Sequence, residues 1–203
     1  MADKILMNKN TLTTLKNELK GYHTALPVFE MKEQQLKEVI QVIETAVDRL
    51  EGAIAKTNKD TKTWAAVMAE DTINLSHFVL VNELKTKTKE IAGVIIEQFV
   101  DLSFEEQDID YLTTPLWVDA AIEAIKDQKT NQLMLQLELK NLESVKEELA
   151  EARRMKNALK EVFIPETKNN IRKIEIYLGD VERLAIGCAK LVKKKKQVKS
   201  EVV

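Results

Sequence analysis

Apolar residues keep a strict rhythm along the first part of the chain. Leu12, Leu15, Leu19, Tyr22, Leu26 and Phe29 recur in alternating steps of three and four. After a polar slot at Glu33 the same beat resumes through Leu36, Ile40, Ile43, Val47, Leu50 and Ile54. A repeat of 3.5 residues held over this length predicts a coiled-coil helix. A helix packed on a globular core would show a broader stripe. At ~1.5 Å of rise per residue this segment spans about 60 Å. Pro27 lies inside it, where proline removes a backbone hydrogen bond and crowds the preceding turn, at a cost of about 3 kcal/mol. The seam continues in phase beyond it, so the pattern predicts a bend or one loosened turn rather than a helix end.

A second long helix is predicted from "TTPLWVDAAIEAIKD" to about Lys196. Thr114 is suited to cap it and Pro115 to begin its first turn. Its distal seam is clean: Ile171, Ile174, Leu178, Val181, Ala185, Cys188 and Val192. Upstream, Val145, Leu149, Ala152, Leu159 and Phe163 follow less tidily, and Lys156 takes a seam slot. Phe163 to Ile171 is eight residues where the repeat asks for seven. The extra residue lies beside Pro165, so a local phase shift is expected there. Pairing the two seams antiparallel sets Leu12 opposite Val192, Leu15 opposite Cys188 and Leu19 opposite Ala185. It continues with Tyr22 opposite Val181, Leu26 opposite Leu178 and Phe29 opposite Ile174.

The middle of the chain breaks the heptad. "TKTWAAVMAED" reads as a short helix. "FVLVNELKTKTKEIAGVIIEQFV" has β-branched clusters around a polar "KTKTKE" centre. It reads as a hairpin, Val79 to Lys87 and Gly93 to Val100. A helix is the alternative here, because "LVNELKTKTKEI" contains good helix formers. "LSFEEQDIDYLTTP" reads as a loop. The expected fold is therefore dominated by helix: a long antiparallel two-helix coiled coil of the N- and C-terminal helices, with a small central insert of short helix plus β-hairpin. Residues 1–56 form the first helix, 57–113 the insert, and 114–203 the second helix with a lysine-rich tail. Such a pair brings the termini to one end and leaves the insert at the other.

Composition agrees with long helices. Of 203 residues, 32% are charged and 5% aromatic, with only five glycines and three prolines to make turns. Charge is unevenly spread around a net of −2. Met1 to Gly21 carries +2, Arg183 to Val203 carries +6, and Glu97 to Glu123 holds eight acids with no lysine or arginine. These are either a solvated tail and loop or the two poles of a rod whose ends meet different partners. The "KLVKKKK" run alone is a weak signal for nucleic acid or anionic lipid, with no arginine-rich or aromatic-interleaved motif around it.

Catalytic chemistry finds no foothold. The glycines are scattered rather than gathered into a phosphate loop. His23 and His77 are the only histidines. They are too isolated for a metal or base constellation. Cys188, the single cysteine, occupies a seam slot and excludes an internal disulfide. The start "MADKILMNKNTL" lacks the apolar core of a signal peptide, and no apolar run reaches the roughly 18 residues of a membrane span.

Two stretches carry a family likeness: "MNKNTLTTLKNELKGYHTALPVFEMKEQQL" at Met7–Leu36 and "NALKEVFIPETKNNIRKIEIYLGDVERLAIGCAKLVKKKK" at Asn157–Lys196. The pieces that carry it are "ALP" followed by "MK", then "NAL", "IP", the Ile171–Ile174–Leu178 spacing, "ER" at Glu182–Arg183 and the closing lysines. They resemble the two ends of the D subunit of the V-type (archaeal/bacterial A/V-type) rotary ATPase and ATP synthase. "KEIAGVII" resembles the hairpin strand of that family.

The resemblance implies a non-catalytic central-stalk shaft without a cofactor. It implies partnership with the F subunit of the stalk, with the catalytic hexamer of A and B subunits, and with the component that docks on the membrane rotor. It implies a cytoplasmic place, peripheral to the membrane through the complex, with no nucleic-acid partner and no direct membrane insertion. On this reading Arg183, Lys190, Lys193, Lys194, Lys195 and Lys196 form a tip that meets the hexamer. Pro27 and Pro165 either set a curved or locally unwound shape or are tolerated kinks. A coiled-coil adaptor or export chaperone of a secretion apparatus is the alternative class, although such proteins usually lack a hairpin insert.

Overall fold

The computed structural model describes residues 6–68, 79–105 and 117–201. Helix α1 spans Lys9–Met68, strands β1 and β2 span Val81–Ile91 and Val94–Phe104, helix α2 spans Trp117–Ala158, and helix α3 spans Ile164–Glu201. A π-turn at Leu159–Phe163 joins α2 to α3 without a break. The fold is thus mostly helical with a small two-stranded antiparallel hairpin, as the heptad pattern and the β-branched middle predict. Thr114 and Pro115 lie outside the described residues, as does most of the loop before α2.

Helix α1 starts where Asn8 caps it. The Asn8 side-chain oxygen accepts the Thr11 amide at 2.7 Å. That satisfies one of the amides that the first turn leaves without a helical partner. The helix then runs unbroken through Pro27. Pro27 is exposed, so the turn it disturbs faces water. Water then solvates the carbonyl that the missing N–H leaves unpaired. The threonines along α1 donate back to the carbonyl four residues earlier, as Thr24 does to Lys20 and Thr45 to Gln41. The helix also continues past Lys56 to Met68, absorbing most of the stretch read as a separate short helix. The rest of that stretch lies outside the described residues.

The chain divides into two compact units, residues 1–31 with 152–203 and residues 32–151. In the first, the start of α1 pairs antiparallel with α3. Lys16 Nζ lies 2.6 Å from a Glu175 carboxylate oxygen and Lys9 Nζ lies 3.7 Å from one of Glu182. The Tyr22 ring stacks on Phe163 with centroids 5.7 Å apart. These pairings correct the expected register. Setting Leu12 opposite Val192 would place Lys16 level with Cys188, thirteen residues from the Glu175 it meets and so nearly two heptads away. The cause is the periodicity itself. Two seven-residue repeats match apolar to apolar at several slips. The choice falls to charge pairs and to the upstream buried positions, Leu159, Ile164 and Thr167.

Those upstream positions show how the phase shift is built. Buried residues step by three, four or seven through Val145, Leu149, Ala152 and Leu159, then by five to Ile164, then by three and four again through Thr167, Ile171 and Ile174. The five-residue step is the π-turn, where the Ile164 amide reaches back to the Leu159 carbonyl. The extra residue thus sits directly before Pro165, where the wider turn relieves the crowding that the ring brings. Phe163, expected in the seam, is 42% exposed, and Ile164 takes its place inside.

The second unit carries the hairpin on its own helix pair. Lys32 is ion-paired with Glu148, Lys146 with Glu44 at 2.9 Å, and Gln128 donates to Asn58 at 2.8 Å, an antiparallel series. The strands run longer than expected, and the "KTKTKE" centre lies within β1 rather than at a turn. Reversal occurs instead at Ala92 and Gly93, with φ of 52° and 83°. That is the pair of positive values that a two-residue type I′ turn needs. Glycine takes that geometry freely, whereas Ala92 adopts it at a cost.

β2 turns Val94 and Ile96 inward. At its far end Val79, Val118 and Ile122 form a buried cluster with Phe104, Trp117 and Ile125 packed against it. Lys126 sits over the Phe104 ring and Lys129 donates to the Val79 carbonyl at 2.9 Å. Between these points Asn141, 4% exposed, binds the edge of β2 with both ends of its amide. It accepts from Glu97 N–H at 3.1 Å and donates to Glu97 C=O at 2.7 Å. A neighbouring strand would make the same pair of bonds. Lys140 adds an ion pair to the Glu97 carboxylate at 3.2 Å.

Candidate functional site

The seam residues divide by depth of burial. On α1, Leu36, Ile43 and Val47 are buried, while Leu12, Leu15, Leu19, Tyr22, Leu26, Phe29, Ile40, Leu50 and Ile54 are half-buried. On α3, Ile171 and Ile174 are buried and Leu178 half-buried. Val181, Ala185, Cys188 and Val192 are exposed. The change follows from the register. Lys9, the first residue of α1, is level with Glu182, so α3 continues beyond the point where α1 begins.

That continuation joins exposed apolar residues to cations. Leu184 is 69% exposed and Leu191 62% exposed. Arg183, Lys190, Lys193, Lys194, Lys195 and Lys196 are exposed along the same helix. Of these six described residues only Arg183 is held by a neighbour, Asp180 at 3.1 Å. Such a surface suits a partner that is acidic at its rim and apolar at its centre. Pro27 and Pro165 are both accommodated within continuous helical runs.

Reactive groups stay apart. Among the described residues no set of three or more His, Cys, Asp or Glu side chains is placed to hold a metal ion. His23 is exposed on α1, Cys188 is exposed and free, and His77 lies outside the described residues. No described helix is long and apolar enough to cross a membrane.

Asn141 lies outside every site that the sequence pattern predicts, although a signal exists. Leu137, Asn141, Val145 and Leu149 recur every four residues and are all buried, so the asparagine stands in an apolar row. A lone amide in such a row needs a specific partner, which the β2 edge supplies.

The matches to known proteins bear on this helical scaffold with a hairpin. The family model for the D subunit of ATP synthase matches residues 11–194. The chain belongs to the ATP synthase D-subunit family. It is 32% identical over 190 residues to the V-type ATP synthase D subunit of Borreliella burgdorferi, covering 94% of each chain. To the proteins of the same name from Chlamydia abortus and Chlamydia caviae it is 25% and 24% identical, over 99% of this chain and 98% of theirs. As a member of this family the chain is a component of the V-type ATP synthase complex. Its matched span takes in most of α1, the hairpin, the π-turn and the lysines up to Lys194.

Proposed function

We propose that the chain is the central-stalk rotor shaft of a V-type ATP synthase, carrying torque between ATP hydrolysis or synthesis and ion transport, and doing no chemistry itself. The observation that carries this reading is the unbroken helical construction of a D-subunit family member. α1 runs for 60 residues through a proline without ending, and the return helix absorbs Pro165 by a π-turn rather than a break. Helices joined by a buried seam and cross-pairs resist twisting better than one helix, which a torque-bearing element requires. On this reading the exposed end of α3, with Arg183 and the lysines from Lys190 to Lys196, meets the catalytic hexamer of A and B subunits. The F subunit and the component that docks on the membrane rotor are its other partners. Association with the membrane is then peripheral and through the complex.

A reversible lock tests it. Lys194→Cys, in a chain with Cys188→Ser, is oxidised to a cysteine placed on a catalytic subunit of the assembled ATP synthase. Oxidation should stop ATP-driven ion transport and reduction should restore it. Full coupled activity in the oxidised, cross-linked complex would contradict the shaft role. Deletion from Lys193 onward should leave the seam intact, because its buried part ends at Ile174. It should weaken assembly increasingly with salt.

A further inference from the structure

Two backbone defects lie opposite each other in the first unit. On α1, Pro27 has no N–H to give to the His23 carbonyl one turn back. In the turn that precedes it the Thr24 hydroxyl donates to the Lys20 carbonyl at 3.0 Å, a bond of the kind that loosens and bends a helix. On the facing helix the π-turn at Leu159–Phe163 is wider than an α-helical turn, and Pro165 just beyond it gives no N–H to that turn. Cross-contacts set the two defects at one height. Tyr22 stacks on Phe163, so five residues further along α1 Pro27 comes level with Ala158. Counted eleven residues from the Lys16–Glu175 pair, it comes level with Ile164. The two counts bracket the π-turn.

Little packing compensates at that height. The seam residues of α1 from Leu12 to Phe29 are half-buried, and none is fully buried. On the facing helix Leu159 and Ile164 are buried at the two edges of the π-turn, while Lys160, Glu161, Val162 and Phe163 between them are exposed. A helix pair is stiff because each helix carries a ladder of backbone bonds and the seam couples the two ladders. A gap in one ladder is splinted by intact turns opposite, which is how a lone proline in a pair is tolerated. Here both ladders are weak at one height, so neither helix splints the other.

We propose that the two defects act as one joint, a cross-section at which the helix pair of the first unit bends and twists reversibly. The turns around Pro27 and Leu159–Phe163 open together there, while the turns on either side stay closed. The joint itself stands on the geometry of the chain. Its use rests on the shaft role proposed above, in which the joint takes up twist between one ATP-driven step and the next. Hydrogen exchange of the isolated full chain, resolved to single amides by mass spectrometry, tests the joint without reference to that role.

Amides at residues 25–29 and 160–164 should exchange about tenfold faster than those at 15–19 and 171–174. Pro27→Ala should slow exchange at 160–164, on the opposite helix, by about threefold. Pro165→Ala should slow exchange at 25–29 likewise. Both substitutions put the best helix former in place of the worst, so both chains should fold. Rates at 15–19 and 171–174 should not change. Effects confined to the substituted helix would make the prolines two independent kinks, and equal slowing at the flanks would make the change one of global stability. Either result overturns the joint. Its use is read from a label on β1 in ATP synthase immobilised through its catalytic subunits and held without ATP. In a chain with Pro27→Ala and Pro165→Ala the angular variance of the label should fall about twofold, and an unchanged variance would overturn that use. A label that never rotates when ATP is added would instead count against the shaft role and leave the exchange result standing.

Discussion

The two units solve the same problem with different means. In residues 1–31 with 152–203, a narrow seam and a few exposed ion pairs align two helices, and among the described residues α3 goes on exposed beyond Glu182. In residues 32–151, the helix pair has a third layer, fixed by an apolar cluster at the hairpin base and by one buried amide at its middle. Exposed ion pairs contribute about 0–1 kcal/mol. Lys9–Glu182 and Lys16–Glu175 therefore select a register more than they stabilise it. The Asn141 amide does both jobs for the hairpin. Sliding β2 by one residue would turn Val94 and Ile96 outward and leave a buried amide unpaired.

Breaking the core of each unit should show the largest contrast. Leu36 is fully buried. Leu36→Ala should therefore cost about 2–5 kcal/mol in chemical denaturation. Val192 is 54% exposed near the end of α3. The same substitution there should change stability by less than about 0.5 kcal/mol. Equal effects would mean that α3 is covered in the isolated chain. Next in size is Asn141→Leu. It leaves the Glu97 N–H and C=O without their partner and should cost about 1–3 kcal/mol. Hydrogen exchange should speed up along β2 while α1 protection at Thr11–Leu19 is unaffected.

The phase shift can be removed rather than broken. Deleting Val162 together with Pro165→Ala turns the five-residue step from Leu159 to Ile164 into four, an ordinary α-helical spacing. The seam should stay in register, and the loss should be under about 2 kcal/mol. Deleting Asn169 instead, where no π-turn can absorb it, should turn the buried Ile171 and Ile174 off their face. Circular dichroism with denaturant titration separates the two outcomes. The smallest effect is expected at the turn, where Ala92 holds a positive φ. Ala92→Gly relieves it and should raise the stability of the second unit by about 0.5–1 kcal/mol.

The contrast also explains what was legible in the sequence. Helix and hairpin were readable because periodicity is local: the α1 seam and the β-branched pairs around Gly93 announce themselves within a few residues. The phase shift beside Pro165 was readable too, as one residue too many between apolar positions. Register was not, since Leu12 through Phe29 match the α3 seam at more than one slip and Lys16–Glu175 is a pairing between distant residues. The strands outran their expected ends because "KTKTKE" is the polar stretch, while Ala92 carries a conformation that alanine rarely adopts. Asn141 was legible as a lone amide in the apolar row of Leu137, Val145 and Leu149, but its partner on β2 was not.

The central claim is that this chain turns within its complex. The direct measurement uses ATP synthase immobilised through its catalytic subunits, with a bead or fluorophore on Thr88→Cys in a Cys188→Ser chain. Thr88 is exposed in the hairpin strand β1, so a label there should not disturb the seam. The shaft account predicts that ATP drives rotation of the label in one direction and that rotation stops when ATP is removed. A label that stays fixed while the same molecules hydrolyse ATP would contradict it.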